Sequence, residues 1–237
     1  MPKAKPRKRN QLRPTTIEPY RTAAAGSVMI RQGETQVLCT ASITTDVPRW
    51  LLDPQTGEPK RGWVTAEYNM MPGSTPDRKR RGPDSRGTEI QRLIGRVLRA
   101  AVDLEKMPGL AITCDCDVVV ADGGTRTASI TGAYVALAQA IATAQASGLI
   151  DRDPLKGPVA AVSVGVVDGE VYLDLDYPLD VRAEVDMNIA MNHRGQFIEV
   201  QGTGEQGTFS RAELDALLDA AGKGIKQLMR VQRAALR

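Results

Sequence analysis

A glycine-rich stretch between a predicted strand and a predicted helix combines residue types that bind anions. It runs Ala121-Asp122-Gly123-Gly124-Thr125-Arg126-Thr127-Ala128-Ser129. Its two glycines let the backbone fold tightly, and the helix that follows presents unpaired N–H groups and the positive end of its dipole. The Arg126 guanidinium suits phosphate oxygens, and the hydroxyls of Thr125, Thr127 and Ser129 are further donors. These features predict a phosphate site at this helix terminus.

A turn that only caps the helix is the alternative for this stretch, because glycine followed by Thr or Ser also starts helices without a ligand. Arg126 argues for the anion, since a cation at a helix N-terminus opposes the dipole unless an anion lies between them. The stretch is not a P-loop, because Gly-Lys-Ser/Thr does not follow at the required distance.

Carboxylates are concentrated farther along the chain. Five fall within 13 residues: Asp174, Asp176, Asp180, Glu184 and Asp186. The first two alternate with apolar residues, which predicts that they share one strand face. A hairpin-like return is expected to bring Asp180 and Asp186 together, where they suit a hard divalent ion such as Mg²⁺, or where one stays protonated as a general acid. Ordinary solvent-facing acids are the alternative.

Together the two sites predict phosphoryl-transfer chemistry, which needs an anion cradle, charge neutralisation and a metal. The positive pocket would consist of Gly124, Thr125, Arg126 and Arg86. A histidine-based triad is disfavoured, because the lone His193 lies in a turn-like stretch. The three cysteines, an odd and low count, argue against disulfides and are expected to be buried.

The positive charge of the chain is concentrated in two places. Residues 1–13 hold six of the 31 Lys and Arg residues and no acid, so the remainder carries 25 basic residues against 28 acidic ones. The second cluster lies in a Pro/Gly-rich segment and consists of Arg78, Lys79, Arg80 and Arg81. Such clusters favour a polyanionic partner, with a solvated tail and a solubilising loop as the alternative.

The elements that must position these residues are predicted from hydrophobic periodicity and turn signals. Strands are predicted in a hairpin over 26–43 and at 63–70, 111–120, 159–167, 171–177, 185–191 and 196–201. Helices are predicted at 89–104, at 130–147 and after a capping box formed by Ser210 and Glu213. Runs of strands followed by helices indicate an α+β fold. The long loop 72–87 is expected to be functional or disordered.

The first predicted helix carries an arginine stripe opposite its apolar face. The stripe consists of Arg92, Arg96 and Arg99. Arginines so placed suit a subunit interface or an RNA path, with a solvated face as the alternative.

The length of 237 residues favours an arm at 1–13 and a single domain at 14–237. No apolar run approaches the roughly 20 residues that span a bilayer, and no secretory signal is evident, so a cytoplasmic protein without membrane partners is expected.

Several motifs resemble the ribonuclease PH family of bacteria, from about residue 10 to the C-terminus. They are Gln11-Leu12-Arg13-Pro14, Gly62-Trp63-Val64-Thr65-Ala66-Glu67-Tyr68, Glu89-Ile90-Gln91-Arg92-Leu93-Ile94-Gly95-Arg96, Asp115-Cys116-Asp117, Asp122 through Ser129, and Leu173-Asp174-Leu175-Asp176-Tyr177. Two departures occur: Arg7-Lys8-Arg9-Asn10 replaces the usual Asp-Gly-Arg, and Gly87 follows Arg86 in place of the usual Thr.

The resemblance implies a βαβα-type α+β fold assembled as a homohexamer, a trimer of dimers. It also implies phosphorolysis, in which inorganic phosphate is the co-substrate that attacks the 3′-terminal phosphodiester and releases a nucleoside diphosphate. The usual substrate is precursor tRNA with extra 3′ nucleotides, and other RNA 3′ ends are also expected. The reaction is reversible as nucleotide addition.

The resemblance further assigns roles to residues of this chain. It implies that Arg86 and Gly124-Thr125-Arg126 hold the phosphate, that Asp186 binds Mg²⁺, and that Asp180 binds metal or protonates the departing 3′ oxygen. The basic cluster at 78–81 would grip the RNA backbone, and the ring favours an interface for the arginine stripe.

Two other functions compete with this one. A catalytically silent RNA-binding ring subunit is disfavoured by the retained phosphate and acidic residues. A hydrolytic two-metal nuclease needs no anion pocket, so the glycine loop disfavours it.

Overall fold

A computed structural model describes residues 7–82 and 84–237, so the first six residues of the predicted basic arm lie outside the described residues. The strands are β1 Thr15–Pro19, β2 Gly26–Gln32, β3 Thr35–Thr44, β4 Trp63–Met70, β5 Ala111–Val120, β6 Val159–Val167, β7 Glu170–Leu173, β8 Val185–Asn192 and β9 Phe197–Gly204. The helices are α1 Ser85–Ala100, α2 Thr125–Ala146, α3 Tyr177–Arg182 and α4 Arg211–Ala235. The predicted α+β class is confirmed.

The strands form two sheets. The N-terminal sheet has the order β1-β2-β3-β5-β4, and only its β4–β5 pair is parallel. The C-terminal sheet has the order β7-β6-β8-β9 and is antiparallel throughout. Strand alternation buries one face of the N-terminal sheet, where Val37, Cys39 and Ala41 of β3 are fully inaccessible. All three cysteines are buried and unpaired, as expected.

Helix α2 lies between the sheets and packs against β2, β3 and β5 on one side and β6 on the other. It is buried almost all round because its sequence is rich in Ala and β-branched or aliphatic residues. The approach to β2 is close: a Cβ on Gly26 would lie 1.9 Å from the carbonyl oxygen of Ala136. Helix α2, which the glycine-rich stretch precedes, is therefore held between the two sheets.

Each of the other long helices packs mainly on one sheet. Helix α1 runs along β4 and buries Ile90, Ile94 and Leu98 against it. Helix α4 packs on β6 and β7, and it begins with the predicted capping box between Ser210 and Glu213, which is confirmed. Within residues 7–82 and 84–237, no helix is long and apolar enough to cross a membrane.

The segment after β7 differs from the sequence prediction. A strand over 171–177 was expected, but β7 ends at Leu173 and α3 begins at Tyr177. Asp174 adopts a left-handed backbone with φ 61°, which breaks the strand, and the Asp176 side chain caps α3 by accepting from the N–H of Leu179. The expectation that these two acids share a strand face is wrong. The short strand β1 was also missed.

Candidate active site

The glycine-rich stretch forms the turn from β5 into α2. Gly123 and Gly124 have φ values of 72° and 65°, in the left-handed region that favours glycine. A Cβ on Gly123 would lie 2.6 Å from the carbonyl oxygen of Leu175, and one on Gly124 would lie 3.0 Å from the guanidinium of Arg13. Gly124 is also the N-cap of α2 and supplies no capping side chain, so the first N–H groups of the helix are left for another acceptor.

Arg126 extends from the first turn of α2 to two residues that the sequence did not single out. Its Nη1 donates to Oε1 of Gln201 on β9 at 2.7 Å and lies 3.8 Å from Oε1 of Glu89 on α1. Nε2 of Gln201 donates to the same Glu89 oxygen at 2.7 Å. The guanidinium is thus oriented by an amide and neutralised in part by a carboxylate.

Thr125 and Arg86 meet Arg126 around a tyrosine of β4. The hydroxyls of Tyr68 and Thr125 are 2.8 Å apart. Burial raises the pKa of Tyr68, while that hydrogen bond and the nearby guanidiniums of Arg86 and Arg126 oppose the rise. Arg86 and Tyr68 line a cleft of about 240 Å³, and Arg86 is the second residue of α1, which starts earlier than predicted.

The other two hydroxyls of the stretch do not contribute to anion binding. Thr127 donates to the carbonyl of Gly124 at 2.9 Å, and Ser129 donates to the carbonyl of Thr125 at 2.8 Å. Both residues are buried. The prediction that they add phosphate donors is wrong, because at these helix positions the side chains turn back to the backbone.

Asp180 and Asp186 come together beside the arginines. Burial raises the pKa of Asp186 to about 6, with the charge of Asp180 as the next cause, and Arg126 opposes the rise. Burial also raises the pKa of Asp180, and Arg86 and Arg126 oppose that rise. Glu205 adds a third negative charge that acts on both acids. The anion pocket and the acids therefore form one site.

The acidic pair fits a divalent cation. Oδ1 of Asp186 is buried and has no hydrogen-bond partner among the described residues, so it is an acceptor that a cation would satisfy. Mg²⁺ is commonly held by one or two carboxylates that leave its other positions to water and substrate phosphates. In the described part of the chain, no group of three or more His, Cys, Asp or Glu residues is arranged to hold a metal by itself.

The remaining acids of the cluster serve the fold. Asp174 is 1% exposed and pairs with Arg13, Asp176 caps α3, and Glu184 accepts from the N–H of Gly169. Each of these three therefore has a partner within the fold.

The basic cluster Arg78, Lys79, Arg80 and Arg81 is exposed in the loop between β4 and α1. The base of this loop is tied to the glycine-rich stretch, because the carbonyl of Ser74 accepts from the N–H of Ala121 at 2.8 Å. The loop that carries the cluster is thus joined to the start of the glycine-rich stretch.

The arginine stripe of α1 is divided by its contacts. Arg99 stacks 4.5 Å from the Trp63 ring and donates to the carbonyl of Val64 at 2.9 Å, so it is used in packing. Arg96 pairs with Glu199 at 2.5 Å and remains half exposed, and Arg92 is exposed.

Known proteins resemble this chain along nearly its whole length. Residues 11–142 match the model described as "3′ exoribonuclease family, domain 1", and residues 157–224 match its "domain 2". A protein named ribonuclease PH from Corynebacterium efficiens is 52% identical over 236 residues, covering 97% of this chain and 94% of its own length. This chain belongs to the ribonuclease PH family. The family member of that name from Crocosphaera subtropica is 50% identical over 234 residues, with 97% and 95% covered.

Solved structures show that the ribonuclease PH fold is shared more widely. The Archaeoglobus fulgidus exosome with RNA bound to the active site has a chain that matches with a TM-score of 0.79 at 22% identity, covering 94% of this chain and 90% of that one. An archaeal exosome core matches with a TM-score of 0.78 at 21% identity, covering 96% and 89%. These likenesses confirm the fold implied by the sequence motifs.

Proposed function

We propose that this ribonuclease PH family member trims the 3′ ends of precursor tRNA and other RNAs by phosphorolysis. Family membership makes the chain a phosphate-dependent 3′-to-5′ exoribonuclease and nucleotidyltransferase, and it disfavours the catalytically silent subunit. One observation carries the assignment of the site: Arg126 acts electrostatically on both acids, Asp180 and Asp186, and Arg86 acts on Asp180 as well. The groups suited to anion binding thus lie beside the two acids.

Inorganic phosphate is held by Arg86, Arg126, the Thr125 hydroxyl and the first N–H groups of α2. One of its oxygens attacks the 3′-terminal phosphorus of the RNA, and the bond from that phosphorus to the 3′ oxygen of the preceding nucleotide breaks. The products are a nucleoside diphosphate and an RNA shortened by one nucleotide. The two guanidiniums stabilise the charge on the phosphate oxygens during this step.

The two acids have separate roles in this scheme. Asp186 would hold Mg²⁺, and Asp180 would assist as a second ligand or protonate the departing 3′ oxygen. Mg²⁺ supplies charge neutralisation to the phosphate groups when bound. Burial raises the pKa of Asp180, which is the direction that favours a general acid.

The exposed basic residues bind RNA or contact neighbouring subunits. The cluster at 78–81 grips the RNA backbone beside the site, and Arg92 and Arg96 face another subunit in a homohexamer built as a trimer of dimers. Residues 14–237 act as one catalytic domain in the cytoplasm. Light scattering tests the assembly: a mass near that of six chains is expected, and a stable monomer would contradict it.

Product analysis tests the activity. RNA with a 3′ extension is incubated with the protein and Mg²⁺, with and without inorganic phosphate. Release of nucleoside diphosphates only when phosphate is present is expected. Monophosphates without phosphate would show hydrolysis, and intact RNA that still binds would show the silent subunit. Arg126→Ala should abolish release, whereas Arg182→Ala, on α3 but paired with Asp168 at the surface, should not.

A further inference from the structure

A buried ion pair joins the phosphate-binding loop to the helix that carries Asp180. We propose that Arg13 and Asp174 are positioning residues for phosphate, which hold the glycine loop and α3 in the relative placement that the reaction needs. This inference rests on the proposed function of the site. Neither residue is offered as a ligand of phosphate or metal.

The pair is tightly bonded and almost fully enclosed. Arg13 is 6% exposed and Asp174 is 1% exposed. The Arg13 side chain donates to Oδ1 of Asp174 from Nη2 at 2.7 Å and from Nε at 3.1 Å, and its backbone N–H donates to Oδ2 at 2.7 Å. Both carboxylate oxygens are thus satisfied by one residue. A geometry this complete fixes the guanidinium plane.

The same guanidinium also holds the glycine loop. Nη1 of Arg13 donates to the carbonyl of Asp122 at 2.5 Å, and Nη2 approaches the carbonyl of Gly123 at 3.4 Å. The Thr35 hydroxyl adds a third contact, donating to the Gly123 carbonyl at 2.7 Å and accepting from the N–H of Asp122 at 3.0 Å. In a planar trans peptide the N–H points opposite to the carbonyl, so the N–H groups of Gly123 and Gly124 point away from Arg13.

Asp174 connects this loop to the acids. Its own N–H donates to the carbonyl of Ser163 at 2.7 Å, and the N–H of the next residue donates to the Ser163 hydroxyl at 3.0 Å. Its left-handed backbone then turns the chain into α3, whose N-cap is Asp176. The glycine loop also contacts α3 directly, since Oδ1 of Asp122 accepts a hydrogen bond from the N–H of Tyr177 at 3.3 Å.

Without the pair, a loop whose two glycines are conformationally permissive would keep, among the described residues, only the contacts of Thr35 and Tyr177. Phosphate binding depends on backbone N–H groups and side chains held in place before the ligand arrives. Loosening the pair should therefore weaken phosphate binding specifically. RNA binding, which depends on the basic cluster at 78–81, should change little.

Lysine at position 13 tests this directly, with a matched control on the same segment. Arg13→Lys keeps the charge but cannot span Asp174 and two carbonyls. Arg7→Lys is the control. Arg7 donates to the carbonyls of Leu173 and Asp174, both at 2.7 Å, and its Nη1 lies 3.9 Å from Oδ2 of Asp174, but among the described residues it donates no hydrogen bond to the glycine loop. KM for phosphate, KM for RNA, kcat and the thermal midpoint are measured for each variant.

We expect Arg13→Lys to raise KM for phosphate about tenfold, as for the loss of hydrogen bonds from a charged group, with KM for RNA changed less than twofold. Arg7→Lys should leave KM for phosphate unchanged even if it lowers the thermal midpoint. Unchanged phosphate KM in Arg13→Lys, or an equal rise in both variants, would overturn the proposal. Should Arg13→Lys not fold, Thr35→Val removes the other contact to the same loop, and it must raise phosphate KM for the proposal to stand.

Failure of the proposed function has a different signature. If the unaltered protein releases no diphosphates, the phosphorolytic assignment is wrong. If it does release them and the variants show no selective effect on phosphate, only the positioning role is wrong.

Discussion

The two halves of the site differ in how completely their side chains are satisfied. On the phosphate side, Arg126 is bonded to Gln201 and Thr125 to Tyr68. On the acidic side, Asp186 has a buried oxygen with no partner among the described residues, and its pKa is raised to about 6. The first half is organised before any ligand binds, whereas the second stores an electrostatic penalty that a cation or a proton relieves.

The largest expected effect on activity comes from removing Arg126, which belongs to the phosphate side of the site. Arg126→Ala should reduce kcat/KM for phosphorolysis by about 10³-fold, because a charged donor in the site is lost. RNA affinity, measured by filter binding without phosphate, should change little. Retained activity would show that the phosphate site lies elsewhere, and Arg182→Ala serves as the control for loss of a nearby arginine.

Removing the charge of Asp186 should lower the rate less than Arg126→Ala does, and it should make the protein more stable. Asp186→Asn should lower kcat by about 100-fold, because a carboxylate ligand of Mg²⁺ is replaced by a neutral amide. With a chelator present it should raise the thermal midpoint at pH 7, because an ionised buried carboxylate is replaced by a neutral amide. A lower midpoint in the variant would contradict the account of Asp186.

The pH dependence of that stability difference has a defined sign. The folded-state pKa of Asp186, about 6, lies above its ordinary value of 3.8. The native state therefore binds a proton more tightly than the unfolded chain, and the unfolding free energy falls as pH rises from about 4 to about 6. The midpoint advantage of Asp186→Asn should grow over this window, and Mg²⁺ should reduce it. A constant difference measured by calorimetry across the window would contradict this.

Charges outside both halves should affect RNA alone. Neutralising Arg78, Lys79, Arg80 and Arg81 together should raise KM for RNA at least about tenfold and flatten its salt dependence, with KM for phosphate nearly unchanged. The matched control neutralises four exposed cations of α4, namely Lys223, Lys226, Arg230 and Arg233. If both sets of substitutions change KM for RNA equally, the basic cluster at 78–81 only adds to solubility.

The smallest expected effect concerns Glu89, an acid on the phosphate side of the site. Glu89 holds Gln201 and lies 3.8 Å from Arg126, so its negative charge competes with an incoming anion. Glu89→Gln should lower KM for phosphate about two- to threefold, the scale of an exposed ion pair. Gln201→Ala should raise it, because Arg126 loses its orienting partner. If Glu89→Gln instead raises KM for phosphate, Glu89 supports phosphate binding and does not oppose it.

The sequence determined the parts of this protein that depend on neighbouring residues. The capping box of α4, the hairpin turn at Gly33, strand β5 and the glycine turn before α2 each depend on residues within a few positions of one another. Local periodicity and turn chemistry are sufficient to predict such elements. The motifs likewise indicated the family and the α+β fold.

Only the tertiary structure decided which side chains complete the site. Arg126 and Gln201 are 75 residues apart in the chain, and Arg13 and Asp174 are 161 apart. Nothing in a spacing pattern distinguished Asp174, which is buried in an ion pair, from Asp180, which reaches the active site. The physical reason is that strand pairing and the packing of α2 between two sheets set these contacts, and local hydrophobic periodicity carries no record of which distant residues will meet.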